Sequence, residues 1–350
     1  MGKELKVSDY TGVTPRFLRS INLFNDWHNP DNFSGYIVTP NVAQSMERLL
    51  HGLLSSEGQR AFALIGPYGT GKSAFTVFLC QLFSRKENHF KAAQKQIPTE
   101  FSWLEEQSQR VCAREDVREG FLPIIVTARR RPIAQLILEG IMSAVSILDQ
   151  TNQVFDLLSR MQEALNKRYW HDTATILEFF TETSDVARTQ KYAGVLLLVD
   201  EAGKTLEYAL QDRAGGDVYI FQEIAEYANR SREIPLLFLI TLHQMFDDYV
   251  ELSDRTLRNE WTKVQERFQS IQFNESAATT IQMVATALQP SKKLPEEITL
   301  AIEEALTLLK KSSVKLPLGI EFSDFADMAK RAWPIHPSVL LAMPHLFRRL

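Results

Sequence analysis

The chain has 350 residues, of which 45% are hydrophobic and 23% are charged. This is the composition of a folded protein with room for about two domains, and it excludes a largely disordered chain. The 39 basic and 43 acidic side chains give a net charge of −4, which excludes a polycation that coats nucleic acid with its whole surface.

The amino-terminal residues lack the apolar core that a signal peptide needs, so we expect no secretion. No apolar run approaches the ~20 residues that span a bilayer. The two cysteines, Cys80 and Cys112, are too few for a disulfide framework or a four-cysteine metal site. We therefore predict a cytoplasmic protein with no membrane partner.

Short apolar runs recur at wide intervals and are separated by long amphipathic stretches. The runs are 61–65, 123–127, 195–199, 236–241 and 270–273. Such runs are typical of buried parallel strands joined by helices. A helix with Thr39 as its cap and Pro40 at its first position precedes the first strand. The sequence thus predicts an α/β fold with a parallel sheet.

The remaining stretches predict the domain organisation. Residues 1–35 form an amino-terminal extension, and residues 36–274 form the α/β core. Within the core, residues 129–193 have helical periodicity and are too many for one crossover helix, which predicts a helical insertion. Residues 275–350 predict a small all-helical lid domain. The last helix has no glycine or proline stop, so we expect the chain to continue into a longer protein.

A glycine-rich segment lies between the first strand and the helix that follows it. Its residues are Gly66, Pro67, Tyr68, Gly69, Thr70, Gly71, Lys72, Ser73 and Ala74. The spacing fits the pattern G-x-x-x-x-G-K-[ST], in which backbone N–H groups cradle phosphates. We expect Lys72 to bridge the β- and γ-phosphates and the Ser73 hydroxyl to ligate Mg²⁺. The alternative is a chance glycine-rich turn.

The strand at 195–199 ends in two carboxylates, Asp200 and Glu201. A buried parallel strand delivers such groups to the carboxyl edge of its sheet. We expect Asp200 to hold Mg²⁺ through water and Glu201 to polarise the attacking water, a general-base role that contributes about 10²–10⁴-fold. The pair therefore indicates hydrolysis. The alternative is a buried strand that ends in a solvated turn.

Two further groups of polar residues are candidates for the same chemistry. Thr241, His243 and Gln244 end the next strand and are candidates for sensing the γ-phosphate or orienting the water. A histidine satisfied at the sheet edge is an equal alternative. Arg267, or else Arg258, precedes the last strand and is a candidate finger that projects into a neighbouring subunit, worth ~10³–10⁵ in rate. The alternative is a surface salt bridge.

Several sequence blocks resemble known ATPases. The order of a P-loop strand, an Asp-Glu strand, a polar strand end, Arg267-Phe268 and a helical lid resembles AAA+-type ATPases over residues 36–350. Residues 199–208 resemble the DE-x-GK-x-LE-Y segment of the very large P-loop ATPases of bacterial anti-phage defence islands, such as BREX-type and related phage-exclusion ATPases. Further similar blocks are 221–226, 242–246, 260–268 and 333–337. Ala202, Thr205 and Glu266 depart from the pattern of these relatives.

The resemblance implies an activity and partners. It implies an AAA+-like P-loop ATPase that binds ATP and Mg²⁺, forms a homo-oligomer and drives or licenses a complex of other defence-system proteins. The alternative is a nucleotide-dependent switch or scaffold that binds ATP with little turnover. A small-molecule kinase is disfavoured because the Asp-Glu pair positions water. In AAA+ relatives a lid arginine reaches the γ-phosphate, for which Arg331, Arg348 and Arg349 are candidates.

The densest positive cluster is Arg129-Arg130-Arg131, directly after the second strand. Such a cluster can contact DNA phosphates or the acidic face of a partner. It can equally be a solvated run of charge. The sequence leaves DNA open as a partner.

Overall fold

The computed structural model describes residues 6–14, 21–30, 35–114, 116–211, 218–245, 249 and 261–347. The chain divides into two compact units. The larger unit comprises Ile21–Phe273, and the smaller unit combines Met1–Ser20 with Asn274–Leu350.

Strands and helices are numbered along the chain. The strands are β1 (Thr11–Val13), β2 (Ala61–Ile65), β3 (Glu119–Thr127), β4 (Tyr192–Asp200), β5 (Leu236–Leu242), β6 (Gln269–Gln272) and β7 (Leu288–Pro290). The helices are α1 (Leu23–His28), α2 (Pro40–Leu54), α3 (Lys72–Leu82), α4 (Glu87–Gln94), α5 (Trp103–Val111), α6 (Ile133–Ser146), α7 (Asn152–Lys167), α8 (Thr173–Thr189), α9 (Gly203–Gln211), α10 (Tyr219–Arg230), α11 (Ala277–Ala287), α12 (Glu296–Lys311), α13 (Phe322–Arg331) and α14 (Pro337–Phe347).

The larger unit is built on a five-stranded sheet. Its strand order is β3-β4-β5-β2-β6, and every neighbouring pair is parallel. The predicted α/β class with a parallel sheet is confirmed. β3 begins at Glu119 rather than at residue 123, because its pairing with β4 starts with Glu119 opposite Tyr192, ahead of the apolar run. β3 lies at one end of this strand order, where polar residues are tolerated.

Alternate side chains of the strands pack into two hydrophobic clusters, one on each face of the sheet. Leu197 and Phe238 join α6, α8 and α10 in one cluster. Leu196 and Leu237 join α2 and α3 in the other. Because successive side chains of a strand point to opposite faces, both faces are apolar and covered. Polar chemistry is thereby confined to the strand ends.

The helical insertion predicted between the second and third strands of the sheet is confirmed. α6, α7 and α8 lie between β3 and β4, and all three contribute side chains to the same cluster. The predicted cap of α2 is also present, since Thr39 Oγ1 accepts a hydrogen bond of 3.1 Å from the Val42 N–H. Pro40 occupies the first position of this helix.

The smaller unit packs four helices, α11 to α14, around a core that includes Ile281, Ile302, Phe325 and Leu340. It differs from the wholly helical lid expected from the sequence in one feature. β1 pairs antiparallel with β7, with Thr11 opposite Pro290. Three-residue strands carry no readable periodicity, and this pair forms through contacts distant in sequence. None of the helices that the structure describes is long and apolar enough to cross a membrane.

Candidate functional site

The glycine-rich loop connects β2 to α3 at the carboxyl edge of the sheet. The Gly66 N–H donates to the Leu242 carbonyl at 3.1 Å, which ties the start of the loop to β5. Gly69 and Gly71 have φ of 77° and 89°, backbone conformations that a side chain disfavours. A Cβ placed on either would meet no atom within 4 Å. Space does not demand glycine at these two positions, but the backbone conformation does, and a loop of this conformation fits a phosphate group.

Lys72 begins α3 directly after Gly71, the helix N-cap. Its ammonium donates hydrogen bonds to the carbonyls of Gly66 at 2.6 Å and Pro67 at 2.8 Å. Burial lowers the pKa of Lys72, while the charges of Asp200 and Glu201 act to raise it. The cation is thus held inside the loop, beside the two carboxylates predicted to share its site.

Ser73, Asp200 and Thr241 form one hydrogen-bonded chain. Ser73 Oγ donates to Asp200 Oδ2 at 2.8 Å. Thr241 Oγ1 donates to Asp200 Oδ1 at 2.6 Å. Asp200 and Thr241 are only 7% and 1% exposed. The last residue of β4 and the second residue of α3 are therefore brought together, with Thr241 of β5 fixing the carboxylate from the other side.

The strand order brings the polar groups to one place. The acidic strand β4 is separated from the loop-bearing strand β2 by one strand, β5, and all three deliver polar groups to one edge. The chain has an α/β fold with a parallel sheet, a glycine-rich loop after β2 and an acidic pair at the end of β4. The fold class predicted from the sequence is confirmed.

The donor set at Ser73 and Asp200 suits Mg²⁺. In the described part of the chain, no three or more His, Cys, Asp or Glu side chains cluster to hold a metal ion. Mg²⁺ differs from most protein-bound metals in needing only one or two carboxylates, because substrate phosphates and waters complete its shell. One hydroxyl and one carboxylate beside an open phosphate loop fit that pattern.

Glu201 follows Asp200 in a left-handed backbone conformation, with φ of 56°. This conformation is uncommon for a residue with a Cβ, and here hydrogen bonds hold it. The Glu201 N–H donates to Thr241 Oγ1 at 2.8 Å and to Asp200 Oδ1 at 3.1 Å. The Glu201 carboxylate forms an ion pair with Lys204 in the first turn of α9. The carboxylate predicted to be the base is therefore engaged by a cation of its own chain.

His243 lies one residue beyond β5 and contacts the glycine-rich loop. Its ring stacks on Tyr68, with centroids 5.0 Å apart and planes at 17°. His243 Nδ1 and the Tyr249 hydroxyl are hydrogen-bonded at 2.9 Å. Burial lowers the pKa of His243, which favours the neutral ring. The histidine is thus near the loop, and its partners here are two tyrosines.

Arg267 is not brought to the site of its own chain. It lies two residues before the start of β6, at the amino edge of the parallel sheet, whereas the loop lies at the carboxyl edge. Arg267 Nε donates to Glu226 Oε1 of α10 at 2.8 Å, and this arginine lowers the pKa of Glu226. Among the remaining arginine candidates, Arg331 is exposed in the last turn of α13. Arg258, Arg348 and Arg349 lie outside the described residues.

Several partners in the site were missed by sequence reasoning. They are Lys204, Glu207, Glu226 and Tyr249. Lys204 could have been found, because a lysine three residues after Glu201 at a helix start is within reach of the carboxylate. Glu226 meets Arg267 from 41 positions away in the sequence. Tyr249 is hydrogen-bonded to His243, and the charge of Glu207 acts on the same histidine, but no helix or strand spacing predicts either relationship.

Comparisons with known proteins give matches among solved structures. No protein-family model matches the sequence, and no curated protein matches it. Among solved structures, the chain is similar to the Aeropyrum pernix Orc1 protein in complex with DNA, with 13% sequence identity and a TM-score of 0.39. The match covers 93% of this chain and 64% of that chain, so this chain spans under two thirds of its length. The likeness concerns the chain trace alone.

Proposed function

We propose that this protein binds ATP with Mg²⁺ and hydrolyses it. The observation that carries the proposal is the contact between Ser73 Oγ and Asp200 Oδ2 at 2.8 Å, at the start of the helix that follows the glycine-rich loop. A hydroxyl and a buried carboxylate at this position are the ligands through which P-loop enzymes hold their cation. The sequence motif and the side-chain geometry agree on the same two residues.

Nucleotide binding requires small movements of groups already near the loop. The backbone N–H groups and the amino end of α3 attract the phosphates. Lys72 exchanges its two loop carbonyls for phosphate oxygens, which offer an ammonium stronger, charge-assisted hydrogen bonds. The negative charge of the bound phosphates also raises the pKa of Lys72, which opposes the effect of burial.

For hydrolysis, Glu201 accepts a proton from the attacking water. Ser73 and Asp200 would hold Mg²⁺, which would supply positive charge to offset that of the phosphates. Glu201 must leave Lys204 to reach the water, while its backbone stays fixed by Thr241 and Asp200. A positioned general base contributes about 10²–10⁴-fold to the rate.

Assembly into a homo-oligomer is part of the proposal. Arg267, at the amino edge of the sheet, is remote from its own loop, and its side chain is 41% exposed. Arg267 can contact a nucleotide phosphate bound by a neighbouring copy once its ion pair with Glu226 breaks. Turnover would then rise with protein concentration.

The wider role we propose is to drive or license a bacterial anti-phage defence complex in the cytoplasm. Its support is the series of sequence blocks, from residues 199–208 to residues 333–337, in the order that those ATPases carry them. Other defence-system proteins are then the partners.

A switch that binds ATP with little turnover is the second candidate function. The ion pair between Glu201 and Lys204 favours it, because the carboxylate must leave this partner before it can contact the water. The two candidates agree on ATP binding and differ in phosphate release.

Phosphate release by Glu201→Gln tests the proposal. We expect the variant to bind ATP as the wild type does and to release phosphate about 10²–10⁴-fold more slowly. Glu178→Gln, an exposed acid of α8, is the matched control and should turn over normally. Wild-type turnover in Glu201→Gln would refute the assignment of the base. Negligible turnover in the wild type itself, at every protein concentration, would favour the switch.

A further inference from the structure

A cleft of about 470 Å³ opens beside the glycine-rich loop. It is lined by Tyr68, Ala128, Arg129, Arg130, Lys204 and Glu207. The Ala128 N–H donates to the Asp200 carbonyl at 2.8 Å, which fixes the segment after β3 against the end of β4. The cleft shares Tyr68 with the glycine-rich loop and Lys204 with the Glu201 ion pair, whereas Arg129 and Arg130 have no part in the proposed ATP chemistry.

The lining of the cleft is positively charged. Arg129, Arg130 and Lys204 outnumber the one lining carboxylate, that of Glu207, although Lys204 is itself paired with Glu201. Arg130 and Glu207 approach only to 3.7 Å, and the Arg130 side chain is 72% exposed. Arg129 forms no ion pair with any residue that the structure describes. The cleft therefore favours an anionic ligand.

Arg131 does not contribute to the positive charge of the cleft. Its guanidinium donates to both carboxylate oxygens of Glu139, at 3.2 and 2.6 Å. The bidentate pair uses the planar geometry that would otherwise receive a phosphate. The three arginines after β3 thus divide into one that is neutralised by α6 and two that face the cleft.

An aromatic ring completes the lining. Tyr68 is 66% exposed, although one face of its ring stacks on His243. The histidine fixes the orientation of the ring and leaves ring surface open to a ligand. A basic groove with an exposed aromatic platform is the combination that binds single-stranded nucleic acid, because phosphates meet the cations while bases stack on the ring.

We infer that this cleft binds a single strand of nucleic acid, with a base on Tyr68 and phosphodiester groups at Arg129 and Arg130. Its volume falls within the range of about 300–1,000 Å³ typical of small-ligand sites, which suits a nucleotide unit and is too small for a duplex. An acidic peptide would satisfy the arginines but leave the ring unused. Binding does not depend on hydrolysis, so it is measured without ATP.

The test is fluorescence anisotropy of labelled oligothymidylate and oligouridylate on the full chain. We expect Arg129→Ala with Arg130→Ala to weaken binding at least tenfold and to reduce the slope of affinity against salt by about 1.4, ~0.7 for each lost contact with a single strand. Arg118→Ala with Arg232→Ala is the matched control, because both precede strands at the opposite edge of the sheet. The control should bind like the wild type.

The aromatic contact has its own variants. Tyr68→Ala should weaken binding by about five- to 150-fold, the factor corresponding to the stacking of one base, whereas Tyr68→Phe should retain it. The two oligonucleotides distinguish DNA from RNA, and binding of either one supports the inference.

Three outcomes would overturn the inference. The first is equal binding by the cleft and control double variants. The second is displacement of the oligonucleotide by polyglutamate together with tighter binding of polyglutamate than of the oligonucleotides. This result would identify an acidic protein segment as the occupant. The third is loss of ATP binding in the arginine double variant, which makes the cleft part of the nucleotide site. Wild-type turnover in Glu201→Gln, by contrast, would refute only the proposed hydrolysis.

Discussion

The hydroxyl of Ser73 donates a hydrogen bond of 2.8 Å to the carboxylate of Asp200, although 127 positions separate them in the sequence. The contact joins the start of α3 to the end of β4. The other oxygen of the Asp200 carboxylate accepts a hydrogen bond of 2.6 Å from Thr241 Oγ1. Three elements of the sheet edge are therefore coupled through one buried carboxylate, and the variants below test what each partner does.

Replacing Thr241 tests how the acid pair is positioned. Thr241→Val keeps the shape but leaves Asp200 Oδ1 and the Glu201 N–H without this partner, which should lower the free energy of unfolding by about 1–3 kcal/mol. Turnover should fall as well, because both acids lose a contact that fixes them. Thr241→Ser keeps the hydroxyl and should recover turnover. Urea unfolding and phosphate release measure the two effects, and equal turnover of the two variants would contradict a positioning role.

Removing the Lys204 charge should speed basal turnover. Glu201 and Lys204 are both more than a third exposed, so solvent screens their attraction. Lys204→Met should raise phosphate release by about 1.4- to fivefold, the factor that corresponds to the ~0.2–1 kcal/mol of an exposed ion pair. Lys204→Arg keeps the pair and serves as the control. An unchanged or lower rate in Lys204→Met would show that the pair does not restrain the base.

The pH dependence of stability should report His243. Its folded pKa lies below the ordinary value of 6.5, first because of burial and then because of Lys72, against the opposing charges of Glu207 and Glu201. Between the folded pKa and 6.5 the unfolded chain binds the extra proton, so stability falls as the pH drops through this window. Above this pH window His243 is neutral in both the folded and the unfolded chain, so its effect on stability vanishes. The ring also contacts Tyr68 and Tyr249.

His243→Gln should therefore flatten the decline of the thermal midpoint between about pH 7.5 and pH 5. Part of the decline should remain, because burial also lowers the pKa of His89. A decline as steep in the variant as in the wild type would exclude His243 as its source.

The parts of the site predictable from sequence are those coded by local patterns. The loop from Gly66 to Ser73 and the pair Asp200-Glu201 each follow an apolar run, and the run itself fixes the edge of the sheet at which they emerge. The fold class follows from the same runs, since strands buried on both faces must be continuously apolar.

The parts that sequence reasoning missed depend on packing between distant segments. Tyr68 meets His243 only because β2 and β5 are neighbours. Arg267 contacts Glu226 because α10 packs near the start of β6, and neither segment has a sequence pattern that predicts this pair. The β1–β7 pairing is of the same kind, with 274 residues between its two strands.

The most direct test of the central claim is equilibrium binding of a fluorescent ATP analogue with Mg²⁺ and with EDTA. The wild type should bind more tightly with Mg²⁺, and Lys72→Ala should bind weakly under both conditions. Ser73→Ala and Asp200→Asn should bind like the wild type in EDTA but lose most of the gain from Mg²⁺, a loss of the order of 10–100-fold in metal affinity. If both variants kept the full gain from Mg²⁺, or Lys72→Ala bound ATP normally, the site would not be the one described.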